Sequence, residues 1–362
     1  MSRPSRLFVS EYVCGGGWPE EPLPQSLARE GRAMLLAFLI DSAQIPNCEV
    51  ATTWDEQRCG RFALSGVQAF PAQSPDDEAR LFRQLSRECD ASYVIAPEIG
   101  NELARRCRIV NESGGRLLAS ALPDIELCSD KLLLADRLTN ARIATIATRP
   151  FDHAATLPFG FPVVVKPRYG AGSESVSLCE DAAMLHHAIG PSDAPIVTDK
   201  VVQPFLAGRP CSVAALVDSQ RADCMVFPVA QQRLSRDGNF TYLGGRIDGA
   251  HPAPANVVKM VRDVCELLPG LRGYIGFDFI LPDAAPHDPV LVEINPRLTT
   301  SYLGYRRITS SNLAQSILQT EHDRSGIEWE PRAIEFSTAG VIESETPVGK
   351  IDRAPVAAHI NG

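Results

Sequence analysis

Two short stretches hold the residues best suited to chemistry. In residues 276–281 (GFDFIL), an extended chain puts Asp278 on the opposite face from Phe277 and Phe279. In residues 291–297 (LVEINPR), Glu293 and Asn295 share a face, and Val292 and Ile294 take the other. If the two strands pair, Asp278, Glu293 and Asn295 converge. Two carboxylates and an amide are hard oxygen ligands suited to Mg²⁺, which draws its remaining ligands from water and nucleotide phosphates. Taken alone, the same pattern equally describes two half-exposed strands with a wet polar face. Pro296 ends the second strand. Arg297 follows within a turn of such a metal, where a guanidinium can clamp a transferring phosphoryl group.

A second set surrounds Lys166, which ends a run of valines and precedes Pro167. A charge closing so apolar a strand is expected to face something negative, although an ordinary strand-end lysine also fits. The loop that follows supplies Arg168, Gly170, Gly172 and Ser173. Glycines let backbone N–H groups approach phosphates closely. The Walker pattern G-x-x-x-x-G-K-[ST] is absent from the chain, and a lone G-x-G loop is weak evidence.

The elements needed to position these groups can be traced along the chain. Residues 6–13 read as an opening strand, followed by Gly15, Gly16 and Gly17 and a helix over 26–41. A strand at 92–96 and a helix at 101–108 continue the alternation, which implies an open, parallel α/β sheet for about residues 1–120. Ser129 or Asp130 caps a helix beginning at Lys131. Strands at 163–166 and 176–178 flank the glycine loop, so this is a strand–loop–strand unit and not the strand–loop–helix of a P-loop. Further strands are expected at 196–205, 211–217, 272–281 and 290–294, with a helix at 313–318 and a loose tail past 345. The expected units are 1–120, 121–200, 201–345 and a tail, 346–362.

Composition narrows the options. The 362 residues are 44% apolar, enough for more than one core. A net charge of −9 lacks the footprint of a nucleic-acid binder. No run approaches the roughly 20 apolar residues of a membrane span, and residues 1–11 lack the apolar core of a signal peptide. The ten cysteines form no C-x-x-C pair, which suits reduced core residues in a cytoplasmic protein.

Taken together, Ser129-Asp130-Lys131, VVVKP with its loop, VVQPFLAGRPCSV, GFDFI and VEINPR resemble the ATP-grasp superfamily, in its order, over about residues 129–300. The resemblance implies an N-terminal α/β domain followed by a two-lobed ATP-grasp fold, α/β overall and α+β in part. It implies that Lys131 and Lys166 contact ATP phosphates. Gly170, Gly172 and Ser173 would belong to a phosphate lid at 170–175. Gln203, Phe205 and Leu206 would form a hinge that binds adenine through its backbone. Asp278, Glu293 and Asn295 would hold Mg²⁺, with Mn²⁺ able to substitute, and Arg297 would steady an acyl phosphate. The hinge departs from the usual wording: Gln203 stands where many members carry Glu, and Arg209-Pro210-Cys211 occupies a second acidic region.

The opening EYVCGGGWPEEPLPQSLAREGRAML, with QQRLSRDGNFTYLGGRI and NPRLTTSYLGYRR, resembles the tyramine–L-glutamate ligase branch of methanofuran biosynthesis. That likeness implies small-molecule substrates, glutamate and an amine, joined through the γ-carboxylate. It leaves a homodimer open. Gly15, Gly16 and Gly17 at a strand end could meet substrate, or form a tight turn. Arg306 and Arg307 could bind a substrate carboxylate, or be solvated surface groups. Two other readings remain: an ATP-grasp ligase with a peptide-like, polyglutamyl or carbamoyl product, and a degenerate nucleotide-binding module. A Rossmann dehydrogenase is disfavoured because G-x-G-x-x-G is missing after the first strand.

Overall fold

The computed structural model describes residues 5–19, 23–151, 157, 159–172, 175–189, 200–218, 223–318 and 327–347. Ser173 and nearly all of the expected tail lie outside them. Three sheets carry the fold. The first is parallel, in the spatial order Val67–Pro71, Glu49–Trp54, Arg6–Glu11, Ala91–Ile95. Helices Gln25–Ala43, Pro75–Glu88 and Glu102–Glu112 cover it. Its three strands Glu49–Trp54, Arg6–Glu11 and Ala91–Ile95 are almost wholly buried, as a parallel sheet covered by helices requires, and the edge strand Val67–Pro71 is half-exposed.

The second sheet has four antiparallel strands, ordered Arg149–Pro150, Lys200–Pro204, Val163–Pro167, Ser177–Cys179. Val163, Val165, Cys179, Leu185 and Val202 form its small core. The third is an eight-stranded antiparallel sheet whose path begins Val290–Asn295, Gly273–Pro282, Gly208–Asp218 and Ala230–Leu234. It continues through Tyr242–Asp248, Arg332–Ser337 and Ile342–Pro347, with Asp223–Val226 paired onto Gly208–Asp218. The last strand carries ordered chain to 347, beyond the point where a tail was expected. Helix Ala255–Leu267 lays Val257, Met260, Val261 and Val264 under Ile275, Phe277 and Phe279.

The parallel sheet and the eight-stranded sheet do not have separate cores. Leu35, Phe38 and Tyr93 of the first share one apolar cluster with Leu216, Tyr274, Tyr302 and Tyr305 of the second. Asp41 reinforces the joint: its carboxylate accepts from Arg306 Nε at 2.9 Å, Arg306 Nη2 at 2.5 Å and Tyr302 Oη at 2.5 Å. The N-terminal unit is thereby fixed against the large lobe. Among the described residues no helix is long and apolar enough to cross a membrane. All ten cysteines are free, and eight are buried.

Candidate active site

The antiparallel register sets Asp278 opposite Glu293 and Gly276 opposite Asn295, so the expected convergence takes place. A bulge after Asp278 leaves Val292 unpaired. Val292 thus lines a cavity of about 810 Å³ together with Asp278, Glu293, Asn295 and Arg297. Asp278 accepts hydrogen bonds from two amides, Gln232 Nε2 at 2.8 Å and Asn295 Nδ2 at 2.9 Å. Burial and then the charge of Glu293 push its carboxyl up to about 7, with Asn295 and Arg297 opposing. Burial also works to raise Glu293, but Lys131 and Lys166 outweigh it and hold the carboxyl below its ordinary value. Two adjacent carboxylates with unequal proton affinities, one of them hydrogen-bonded by amide donors, are a donor set that fits a hard divalent cation. In the present rotamer Asn295 turns its Nδ2 to Asp278 and its Oδ1 toward Arg297 at 3.4 Å, so its oxygen joins such a set only after the amide turns over.

The small lobe faces this pair with lysines. Asp130 positions them: its Oδ1 caps the helix Lys131–Asn140 by accepting from Leu132 N and Leu133 N, both at 3.1 Å. The same carboxylate accepts from Arg168 Nε at 2.8 Å, Arg168 Nη2 at 2.6 Å and Tyr169 Oη at 2.8 Å. One residue therefore ties the start of the helix to the strand end that carries Lys166. Lys131 Nζ bonds Gly170 O at 2.8 Å and reaches Glu293 Oε1 at 3.1 Å. Lys166 is buried and makes no hydrogen bond or ion pair among the described residues. Burial, then Lys131, lower its ammonium to about 8. A buried ammonium without a partner, opening on a cavity, is an anion site by its chemistry.

Gly170 and Gly172 line the cavity on one side, and Gln203, Phe205 and Leu206 line the hinge. Gln203 is buried and its Nε2 is occupied by Thr148 Oγ1 at 2.8 Å. The Phe205 ring lies nearly parallel to Phe240, centroids 6.1 Å apart and planes 16° apart.

Arg297 is placed in the cavity wall but is not free. Its Nε and Nη2 fork onto Glu98 at 2.8 and 2.6 Å, and Nη1 bonds Leu298 O at 3.2 Å. Glu98 belongs to the N-terminal unit and is 1% exposed. Glu30, on helix Gln25–Ala43, also lines the cavity. The sequence reading missed both acids, because nothing local marks them; only the fold brings residues 30 and 98 to residue 297.

The remaining site expectations fall elsewhere. Gly15, Gly16 and Gly17 do not line the cavity, and crowding explains them. A Cβ on Gly17 would meet Arg106 Nη2 at 2.3 Å, one on Gly15 would meet Thr53 Oγ1 at 2.7 Å, and Gly16 has φ +100°. The Arg106 beneath them is itself locked, by Glu78 at 2.8 and 2.7 Å and Glu102 at 2.8 Å. Arg306 is spent on Asp41, and Arg307 does not reach the cavity. Neither arginine stands where a substrate carboxylate in this cavity would meet it.

A family model described as an ATP-grasp domain matches residues 128–301, and one described as a pre ATP-grasp 3 domain matches 48–123. The chain is similar to a D-alanine–D-alanine ligase of Pseudothermotoga lettingae, at 26% identity over 186 residues, 48% of this chain and 58% of that one. It is also similar to a tyramine–L-glutamate ligase of Methanocaldococcus fervens, at 25% identity over 123 residues, 34% of this chain and 38% of that one. The chain thus spans about half the length of the curated relatives it matches. An L-amino acid ligase from Bacillus licheniformis shares the fold, with a TM-score of 0.68 at 16% identity over 92% of this chain and 80% of that chain. Residues 128–301 are thus an ATP-grasp domain, preceded by a pre ATP-grasp domain over 48–123, and these two segments place the chain in the ATP-grasp superfamily.

Proposed function

We propose that this protein is an ATP-dependent carboxylate–amine ligase that forms an amide through an acyl phosphate, releasing ADP and phosphate. The observation that carries the reading is the single cavity in which Lys131 and Lys166 face Asp278 and Glu293. Lys131 and Lys166 would hold the ATP phosphates, with Gly170, Gly172 and Ser173 closing over them. The backbone of Gln203, Phe205 and Leu206 would take the adenine, since the Gln203 side chain is already committed to Thr148. Asp278, Glu293 and Asn295 would hold Mg²⁺, which supplies charge neutralisation on the phosphates when bound. Arg297, held by Glu98, would stabilise the transferring phosphoryl group and the oxyanion that follows.

For the substrates, the resemblance of the opening segment and the likeness to a tyramine–L-glutamate ligase both favour L-glutamate, through its γ-carboxylate, and tyramine or tyrosine. The D-alanine–D-alanine ligase relatives support a peptide-forming reaction as the second reading. Incubation with Mg·ATP, a carboxylate and a panel of amines, reading ADP and product mass, decides between them. ADP formed well only with a glutamate-type donor, and a glutamyl-amide mass, are expected. Amine-dependent AMP would exclude the acyl-phosphate route, and a D-alanyl-D-alanine product would exclude the glutamate reading.

The lowered Lys166 gives a pH signature. In the free protein it titrates near 8, and a bound phosphate favours its charged form. Affinity for Mg·ADP is therefore expected to fall above about pH 8, by up to about tenfold per unit. Calorimetry from pH 7 to 9.5 measures this, and Lys166→Met is expected to flatten the fall. A level wild-type profile would remove Lys166 from the phosphates.

A further inference from the structure

Three acids, Asp278, Glu293 and Glu30, and three cations, Lys131, Lys166 and Arg297, line the cavity, and a fourth acid, Glu98, stands against Arg297. Arg297 is matched by Glu98. Lys131 reaches Glu293, and Lys166 opens on the space that the proposed reading gives to phosphates. Asp278 and Glu293 form the pair that fits a divalent cation. Glu30 alone is left over: it makes no ion pair among the described residues. Its only hydrogen bond there is accepted by Oε2 from Thr300 Oγ1 at 3.1 Å.

Glu30 is held in place on both sides. Its helix is pressed against the first sheet, where a Cβ on the adjacent Gly31 would lie 2.5 Å from Glu11 Oε1. Thr300 ties it to the segment that carries Arg297, three residues away. The same cavity wall carries Tyr242 and the mutually bonded hydroxyls of Thr299 and Ser301, 2.8 Å apart, none with a formal charge. Tyr242 makes no hydrogen bond among the described residues. Burial of Glu30 raises its carboxyl, with Thr300 and then Arg297 opposing, so an ionised Glu30 at this wall gains from any cation brought to it.

We infer that Glu30 is the recognition group for a primary ammonium brought into the cavity by a substrate. The N-terminal unit therefore contributes directly to substrate choice in addition to supporting the large lobe. A carboxylate with one unmatched oxygen, flanked by hydroxyls, is built to take three N–H donors in a charge-assisted set. The inference rests on the ligase reading and says which chemistry that site selects. Two sources can bring the ammonium: the acceptor amine, or the α-amino group of an amino-acid donor.

Four substrate pairings separate them. Glutamate or glutarate serves as donor, and tyramine or hydroxylamine, which is uncharged at pH 7.5, serves as nucleophile. KM values are compared for the wild type and Glu30→Gln, with melting temperature monitored alongside. Glu30→Gln is expected to raise KM for one ammonium-bearing substrate by roughly tenfold or more, with a much smaller change for its uncharged counterpart. A loss selective for tyramine marks the acceptor, and a loss selective for glutamate over glutarate marks the donor. Glu30→Asp keeps the charge and is expected to fall between wild type and Gln; should the Gln variant not fold, the Asp variant carries the comparison. Equal effects in all four pairings, or none, would overturn the inference while leaving wild-type products intact. Absence of both amide and hydroxamate from the wild type would instead overturn the ligase reading and this inference with it.

Discussion

Replacement of Glu293 by Gln is expected to cut turnover by about 10³-fold or more in a protein that still folds. Gln has the same shape, and the ladder bonds of this strand come from the backbone, so the pairing of Asp278 with position 293 survives. What changes is charge. Glu293 Oε1 lies 3.1 Å from Lys131 Nζ, and its carboxyl is held ionised by Lys131 and Lys166. A neutral amide leaves two lysines facing Asp278 alone, and Asp278 is already pushed up to about 7 by burial and Glu293. A donor set with one carboxylate in place of two, the others being amides, holds Mg²⁺ poorly. ADP formation measured beside the melting temperature tests this. A folded variant with near wild-type turnover would remove Glu293 from the metal site.

Arg297→Lys is the second large effect. The guanidinium uses two nitrogens on Glu98 and a third on Leu298 O, so it is oriented before any ligand arrives. Lys keeps the charge but can neither fork onto Glu98 nor hold a second donor toward the cavity at the same time. We expect kcat to fall by about 10²-fold, the scale for one preorganised donor, with KM for ATP little changed. Some stability is lost as well, because Glu98 is buried. The loss should stay below the roughly 3–5 kcal/mol of removing a buried partner outright, since a cation remains. Urea unfolding and steady-state kinetics separate the two contributions. A variant that melts lower yet turns over normally would make Arg297 a structural clasp between the N-terminal unit and the large lobe.

The sequence alone determined which side of each strand its polar residues take. Alternation with period two put Asp278, Glu293 and Asn295 on one face, and the pairing of two neighbouring strands then joined them. Local chemistry likewise marked Ser129 or Asp130 as a cap, of which Asp130 is the one that caps, and Lys166 as a charge ending an apolar strand. These are short-range properties, set by backbone geometry within a few residues. Only the tertiary structure decided which distant partner each group meets. In sequence Arg306 suits a substrate ligand or a solvated surface group equally, and in the fold Asp41, 265 residues away, takes it. The glycine triplet looked like a ligand loop until Arg106 and Thr53 filled the space beside it. Arg297 lines the same cavity as the carboxylates, but its clamp, Glu98, lies 199 residues upstream and follows no periodic pattern. Glu30 sits in an ordinary amphipathic helix, and its carboxylate is distinctive only because two units share one apolar core and turn that helix toward the cavity. Such matches depend on how whole faces pack, and packing is a property of elements far apart in the chain.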